Sequence, residues 1–300
     1  MIVVKLFGGL GNQLFQYAFG KKISLKTRQK LYLEIEYGFK NDPYQRNYNL
    51  FPFKIEENLL KNDLISIDFD HLSIDKKHWQ GKIKNYVIGL KRNNWNLIKE
   101  KNLEFDDSIE TKKRHTYLDG YWQSENYFKD VRNEIIQEIQ LKVPFKNENA
   151  RISKKMSEVT SVSLHIRRTH GIEMDGKIHH KIHGGLDLDY YQRAIEIVAD
   201  KHPNLELFVF SDDIEWAREN FKSNFPVEFM SQNDDAHNYL DLILMSHCKH
   251  QIIANSTFSW WGAWLNQNPK KVVIAPKMWF IDQKMNAQTK DLIPSDWIRI

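Results

Sequence analysis

Four short runs carry the residue types from which chemistry could be built. Gly8-Gly9-Leu10-Gly11-Asn12-Gln13 joins a β-rich run to a helical pattern. Glycines there let a backbone approach a ligand, and free N–H groups at a helix start attract anions. No Gly-Lys-Ser/Thr follows, and Leu14 stands where a dinucleotide fingerprint needs its third glycine, so neither phosphate-binding motif is present. A tight turn and a phosphate or sugar site both stay open. His165-Ile166-Arg167-Arg168 ends a second β-rich run, a poor place for core packing and a good one for a doubly charged phosphate, because guanidinium offers paired donors; a surface arginine pair is the plainer use. Ser211-Asp212-Asp213 closes a third, where one carboxylate can cap the next helix and the other accept from a base such as guanine. Asn255-Ser256-Thr257-Phe258-Ser259-Trp260 is again strand end into helix start, and its hydroxyls suit either a phosphate or an N-cap.

All four runs fall at the carboxyl ends of expected strands. The first follows strand 2–7 and opens a helix over 13–22, and strand 31–35 comes next. Between about 36 and 116 only short patterns show, such as a helical one at 56–65. An amphipathic helix is expected over 130–142, with Val131, Ile135, Ile136 and Ile139 on one face. A polar stretch over 146–155 follows, and the domain junction is placed within it. Beyond it strands 162–166, 205–210, 227–230, 251–254 and 271–275 alternate with helices 190–199, 213–221, 239–248 and 257–265. That is a doubly wound α/β pattern, which binds ligands where its strands end. Trp260 and Trp264 share a helix face and read as core.

Composition narrows the classes. Among 300 residues, 41% are hydrophobic and 27% charged, which fits globular domains and excludes disorder and coiled coil. Lys and Arg are interleaved with Asp and Glu and the net charge is only +4, so no nucleic-acid partner is expected. The lone cysteine, Cys248, lies in an apolar run and reads as a buried structural thiol. No stretch is long and apolar enough for a leader's core or a membrane span, so a cytoplasmic protein is expected. Asp187-Leu188-Asp189 and Asp68-Phe69-Asp70 match the D-x-D of metal-using transferases, but the pattern is weak and Asp189 stands where helix 190–199 needs an N-cap. His170, His179, His180 and His183 could hold zinc and read more simply as a solvated loop. No metal is expected.

Six segments in order, GGLGNQLFQYAFG, YLDGYWQSENYF at 117–128, SLHIRR, FVFSDD, LDLILMSHCKHQIIANSTFSWWGAWLN and KVVIAPKMWF, resemble glycosyltransferase family eleven, the bacterial α-1,2-fucosyltransferases. The resemblance implies two Rossmann-like lobes facing across a cleft, the GT-B type, with an acceptor-side lobe over 1–150 and a GDP-fucose-binding lobe over 151–300. It implies inverting, metal-independent transfer of L-fucose from GDP-β-L-fucose to the 2-hydroxyl of a galactosyl glycan. No cofactor is needed beyond the donor. The acceptor would be an oligosaccharide or lipid-linked glycan, which brings with it peripheral membrane association. On that footing Arg167 meets the β-phosphate, and Gly9, Gly11, Asn12, Gln13, His165, Arg168, Asp212, Asp213, Asn255, Ser256, Thr257 and Ser259 are substrate-binding candidates.

One departure stands out. The family continues after H-x-R-R with Gly-Asp-Tyr, whereas this chain reads Thr169-His170-Gly171. His170, at the position of the usual Asp, and the nearby carboxylates Glu173 and Asp175 are the candidates for general base. The same departure keeps two other readings open, a GDP-sugar-binding protein that does not catalyse and a transferase using another GDP-sugar.

Overall fold

Strand β1 (Ile2–Lys5) carries three consecutive apolar residues, the pattern of a strand covered on both faces, and Ile2, Val3 and Val4 are fully buried. The computed structural model describes residues 1–60, 95–111, 115–168 and 184–300. With β2 (Leu31–Glu34), β3 (Trp95–Lys99) and β4 (His115–Asp119), β1 forms a parallel sheet in the order β2-β1-β4-β3, Val4 standing opposite Leu33 and Leu118. Helix α1 (Leu10–Thr27) buries all of residues 13–20, because it is covered by its own sheet on one side and by the second half of the chain on the other.

The second sheet is also parallel, in the order β10-β9-β8-β5-β6-β7, from β5 (Thr160–Ile166), β6 (Leu205–Ser211), β7 (Val227–Phe229), β8 (His250–Ile252), β9 (Val273–Ala275) and β10 (Ile298–Arg299). Helices α4 (Leu188–Ala199), α5 (Ile214–Asn220), α6 (Asn238–His247) and α7 (Thr257–Leu265) alternate with its strands. The strand–helix alternation expected beyond residue 160 is therefore observed, and the chain is α/β with two Rossmann-like lobes.

Helices α1 and α7 join the lobes. The Phe15 ring lies 4.4 Å from that of Trp260 and 5.1 Å from that of Trp261, and Phe128 stacks on Trp261 at 5.6 Å. Trp260 and Trp264 are core residues, as their shared face implied. Each indole N–H finds an acceptor, Leu292 O for Trp260 and Glu125 Oε2 for Trp264. Cys248 is buried, and burial pushes its thiol up from the ordinary range, so it is inert.

Elsewhere the structure departs from the sequence expectation. The helix expected over 130–142 is shorter, a 3₁₀ turn at Lys129–Val131 leading into α2 (Arg132–Glu138), with Ile135, Ile136 and Ile139 buried as expected. The polar stretch over 146–155 forms most of α3 (Asn147–Glu158), a helix held by only two buried residues, Ile152 and Met156. Residues 56–60 are not helical: Leu60 N donates to Leu33 O and Leu33 N to Asn58 O, extending the sheet past β2. The N-cap of α4 is Asp187, which accepts from Tyr190 N at 2.8 Å, rather than Asp189, because the helix begins two residues earlier than its apolar pattern.

Candidate active site

The first glycine run begins where β1 ends. Gln16 clamps Phe7, accepting from its N–H at 3.0 Å and donating to its carbonyl at 3.2 Å, so the chain enters the loop in one geometry. Gly8 follows in the left-handed region, with φ of 74°. Gly9 caps α1, and a Cβ built on it would meet nothing within 4 Å. Gly11 is different: a Cβ there would stand 2.5 Å from the backbone carbon of Thr257 and 2.7 Å from Phe258 N. Its glycine is a helix-contact residue.

That contact brings the N-termini of α1 and α7 together. Neither helix has an acidic residue in its first turn, so the positive end of each dipole is left without a carboxylate of its own. The opposite end of α7 is compensated by cations. Arg132 stacks on the Trp264 ring at 4.6 Å and donates to the Trp264 carbonyl, and Lys271 Nζ donates to Ala263 O and Asn266 O at 2.8 and 2.9 Å. Burial lowers Lys271 to about 8, helped by the neighbouring Arg132.

The candidates divide by what they do. Gln13 donates to Gly8 O and Asn47 O and accepts from Asn49 N, all at 2.9 Å, so its amide staples 47–49 to the glycine loop. Asn12 accepts from Gln123 Nε2 at 2.9 Å. Ser256 caps α7 through Phe258 N, Ser259 Oγ donates to Ser256 O at 3.3 Å, and Thr257 begins the helix. Asn255 Nδ2 donates to Trp279 O at 3.4 Å. Asp213 caps α5 through Trp216 N at 3.1 Å.

Asp212 faces β5 instead. Its Oδ2 lies 3.3 Å from Arg167 Nε, close enough for an ion pair, and its Oδ1 accepts from Arg168 N at 2.7 Å. The Arg168 guanidinium stacks on Trp216 at 3.8 Å. The two arginines are thus turned to different tasks. His165 is buried, its ring 5.9 Å from that of Phe258 in the first turn of α7, which ties the end of β5 to the helix contact. Burial, then the charge of Arg167, lowers His165 to about 4, so it is neutral near pH 7. Its Nδ1 has no hydrogen-bond partner among the described residues.

Gln123 was not singled out from sequence, although it lies in the Tyr-Trp-Gln-Ser run. It follows Trp122, whose φ of 58° is strained for a non-glycine residue. Glu100 holds that turn, accepting from Tyr121 N at 2.7 Å and Trp122 N at 2.9 Å, and burial raises its carboxyl above the usual range. Phe7 and Tyr121 pack edge to face at 4.7 Å above the Lys5–Asp119 ion pair of 3.1 Å, giving the first lobe an aromatic and polar edge. His170, Glu173 and Asp175, the zinc-like histidines and Asp68-Phe69-Asp70 lie outside the described residues. Among the described residues no group of three or more His, Cys, Asp or Glu comes together as a metal site.

Two parallel α/β lobes joined through helix N-termini at their strand ends define a GT-B-type glycosyltransferase fold. Consistent with this, the structure resembles an Arabidopsis thaliana FUT1 variant solved in complex with GDP, with a TM-score of 0.53 over 91% of this chain and 69% of that one at 12% identity. The profile of Glycosyl transferase family 11 matches residues 1–300, and the chain belongs to that family. It is 32% identical to an Escherichia coli alpha-1,2-colitosyltransferase, covering 100% of this chain and 99% of that protein. It is also 32% identical to the Escherichia coli O-antigen biosynthesis glycosyltransferase WbnK, covering 98% and 99%. No helix among the described residues is long and apolar enough to cross a membrane.

Proposed function

We propose that the protein transfers L-fucose from GDP-β-L-fucose to the 2-hydroxyl of a galactosyl glycan, inverting the anomeric centre and using no metal. The observation that carries this reading is the placement of Arg167, within ion-pair distance of Asp212, just past the end of β5, the strand whose His165 ring lies against Phe258 in the first turn of α7 where that helix meets α1. The guanidinium, partly exposed beside Asp212, is the group a diphosphate would meet. The acceptor oxygen attacks the anomeric carbon from the face opposite GDP, the bond to the β-phosphate oxygen breaks with its electrons, and the acceptor proton passes to a base. Arg167 and the helix N–H groups stabilise the charge gathering on the phosphate, which is worth more there than in the ground state. His170, Glu173 and Asp175 remain the proposed bases, since His165 is buried and neutral. Gly9, Asn12, Asn255, Ser256 and Thr257 line the donor side, while Gln13, Arg168, Asp213 and Ser259 act by holding it in shape. The division into an acceptor lobe over 1–150 and a donor lobe over 151–300 belongs to the same proposal.

The WbnK relative supports an O-antigen type of acceptor; an oligosaccharide or lipid-linked form of it, handled on the cytoplasmic side of a membrane, belongs to the same proposal. Exposed Met278, Ile281 and Met285, with Lys277 and Lys284 among them, would suit peripheral contact there. The colitosyltransferase relative favours a second reading that keeps the mechanism and changes the sugar on GDP. Purified protein with a galactoside panel in excess EDTA, given GDP-fucose or GDP-colitose, separates these. Product with GDP-fucose supports the first reading and product with GDP-colitose alone the second. GDP binding without turnover of either donor overturns both.

A further inference from the structure

Between the two lobes a cavity of about 540 Å³ opens, lined by Phe51 of the first, residues 141–149 leading into α3, and Gln232 and Tyr239 of the second. That volume lies within the range of about 300–1,000 Å³ typical of small-molecule clefts. On the first-lobe side it is tied to the candidate active site. Phe51 follows the 47–49 segment that Gln13 staples to the glycine loop, and Arg218 of α5 donates to Ser231 Oγ at 3.0 Å, next to Gln232.

Its walls combine two kinds of group. Phe51 and Tyr239 come from different lobes, their rings 6.3 Å apart and steeply inclined, and Phe51 is 49% exposed, unusual for phenylalanine. Beside them runs a chain of amides: Gln232 Nε2 donates to Asn149 Oδ1 at 2.9 Å, Asn149 Nδ2 to Asn233 Oδ1 at 2.8 Å, and Asn233 Nδ2 to Asp241 Oδ1 at 2.6 Å. Asn149 and Gln232 are thereby presented in fixed orientation. An aliphatic ligand would make no use of the amides, and although Lys142 and Lys146 belong to the lining, Lys142 is paired with Glu57 and Glu148 shares the wall, so no cluster of unopposed cations awaits a multiply charged anion. Pyranose rings match both features, since their C–H faces pack on aromatic rings and their hydroxyls both donate to and accept from planar amides.

We infer that this cavity is an oligosaccharide subsite, occupied by the sugars of the acceptor that lie beyond the residue receiving the transfer. The inference rests on the proposed transfer to a glycan. It predicts that acceptor length matters through Phe51, Tyr239 and Gln232. Steady-state kinetics would compare N-acetyllactosamine with a hexasaccharide of three N-acetyllactosamine units, for wild type, Phe51→Ala, Tyr239→Ala and Gln232→Ala. Each variant should lose tenfold or more in kcat/KM on the hexasaccharide, through KM, and less than threefold on the disaccharide, with GDP affinity unchanged. An equal fall on both acceptors, or on neither, overturns it. A second arm needs no turnover: saturation-transfer NMR of the hexasaccharide with donor-free protein should show contact to its inner sugars, weakened in Phe51→Ala. Absence of that contact in wild type overturns the subsite, whereas contact without transfer counts against the proposed reaction and leaves the subsite standing.

Discussion

Gly9 and Gly11 stand two residues apart in one run, yet the structure gives them different consequences on substitution. A methyl group at Gly11 would meet Thr257 backbone at 2.5 Å, and neither backbone can turn aside as a side chain could. Restoring an ordinary separation of about 3.5 Å between carbons moves α1 and α7 apart by roughly 1 Å. The move pulls Phe15 from Trp260 and Trp261 in a fully packed layer. Overpacking of this kind costs about 2–3 kcal/mol, and a 1 Å displacement of the two helix ends should lower turnover by about 10²-fold. Gly9→Ala meets open space within the fold and in stability loses only cap quality, under about 1 kcal/mol. Urea midpoints at unchanged m-value, with transfer rates, compare the two variants. Equal midpoints together with wild-type turnover in Gly11→Ala would refute the claim that glycine is there for helix contact.

Arg167→Lys should fold normally and lose about 10²-fold or more in turnover, because lysine lacks the paired donors; near-normal transfer would remove Arg167 from the proposed role. Among His170→Gln, Glu173→Gln and Asp175→Asn, the variant that removes the base should lose about 10²-fold in turnover while GDP affinity stays close to wild type, and three normal rates would place the base elsewhere. His165 is held near 4 in the fold against about 6.5 in the unfolded chain. Above pH 6.5 it is neutral in both states; as pH falls from 6.5 to 4 the unfolded chain takes the proton and the fold does not, so stability is lost over that window, by up to about 3 kcal/mol. His250, lowered to about 4 by burial, acts in the same direction. Urea midpoints between pH 7 and 4.5 should therefore fall less in His165→Asn than in wild type, and an identical slope would contradict the buried, neutral imidazole.

The second lobe was legible because each of its strands is a short apolar run between helices of strong pattern. Helix α3 was not, since ten of its twelve residues escape burial and a helix pinned by Ile152 and Met156 alone reads as a polar connector. The four motifs marked the strand ends from which the site is built, but not the division of labour within them. Gln13 and Gln16 have the chemistry of ligand-binding residues, and only the fold shows their amides spent on the loop's own backbone. The Arg167–Asp212 pair joins residues 45 positions apart, where no local signal could connect them, and the parallel register of β5 and β6 makes them neighbours. Gln123 and the strained turn before it depend on Glu100, just past the end of β3, equally silent in the sequence.

The proposed reaction is transfer with inversion to a galactosyl 2-hydroxyl, driven by Arg167 and helix dipoles instead of a metal ion. The most direct measurement is NMR of the isolated product after incubation of the protein with GDP-β-L-fucose and N-acetyllactosamine in excess EDTA. A single new α-configured fucosyl residue attached at carbon 2 of the galactose is expected, formed at the same rate with and without chelator. A β-linked product, attachment at another carbon, or activity that vanishes with EDTA and returns with Mn²⁺ or Mg²⁺ would contradict it.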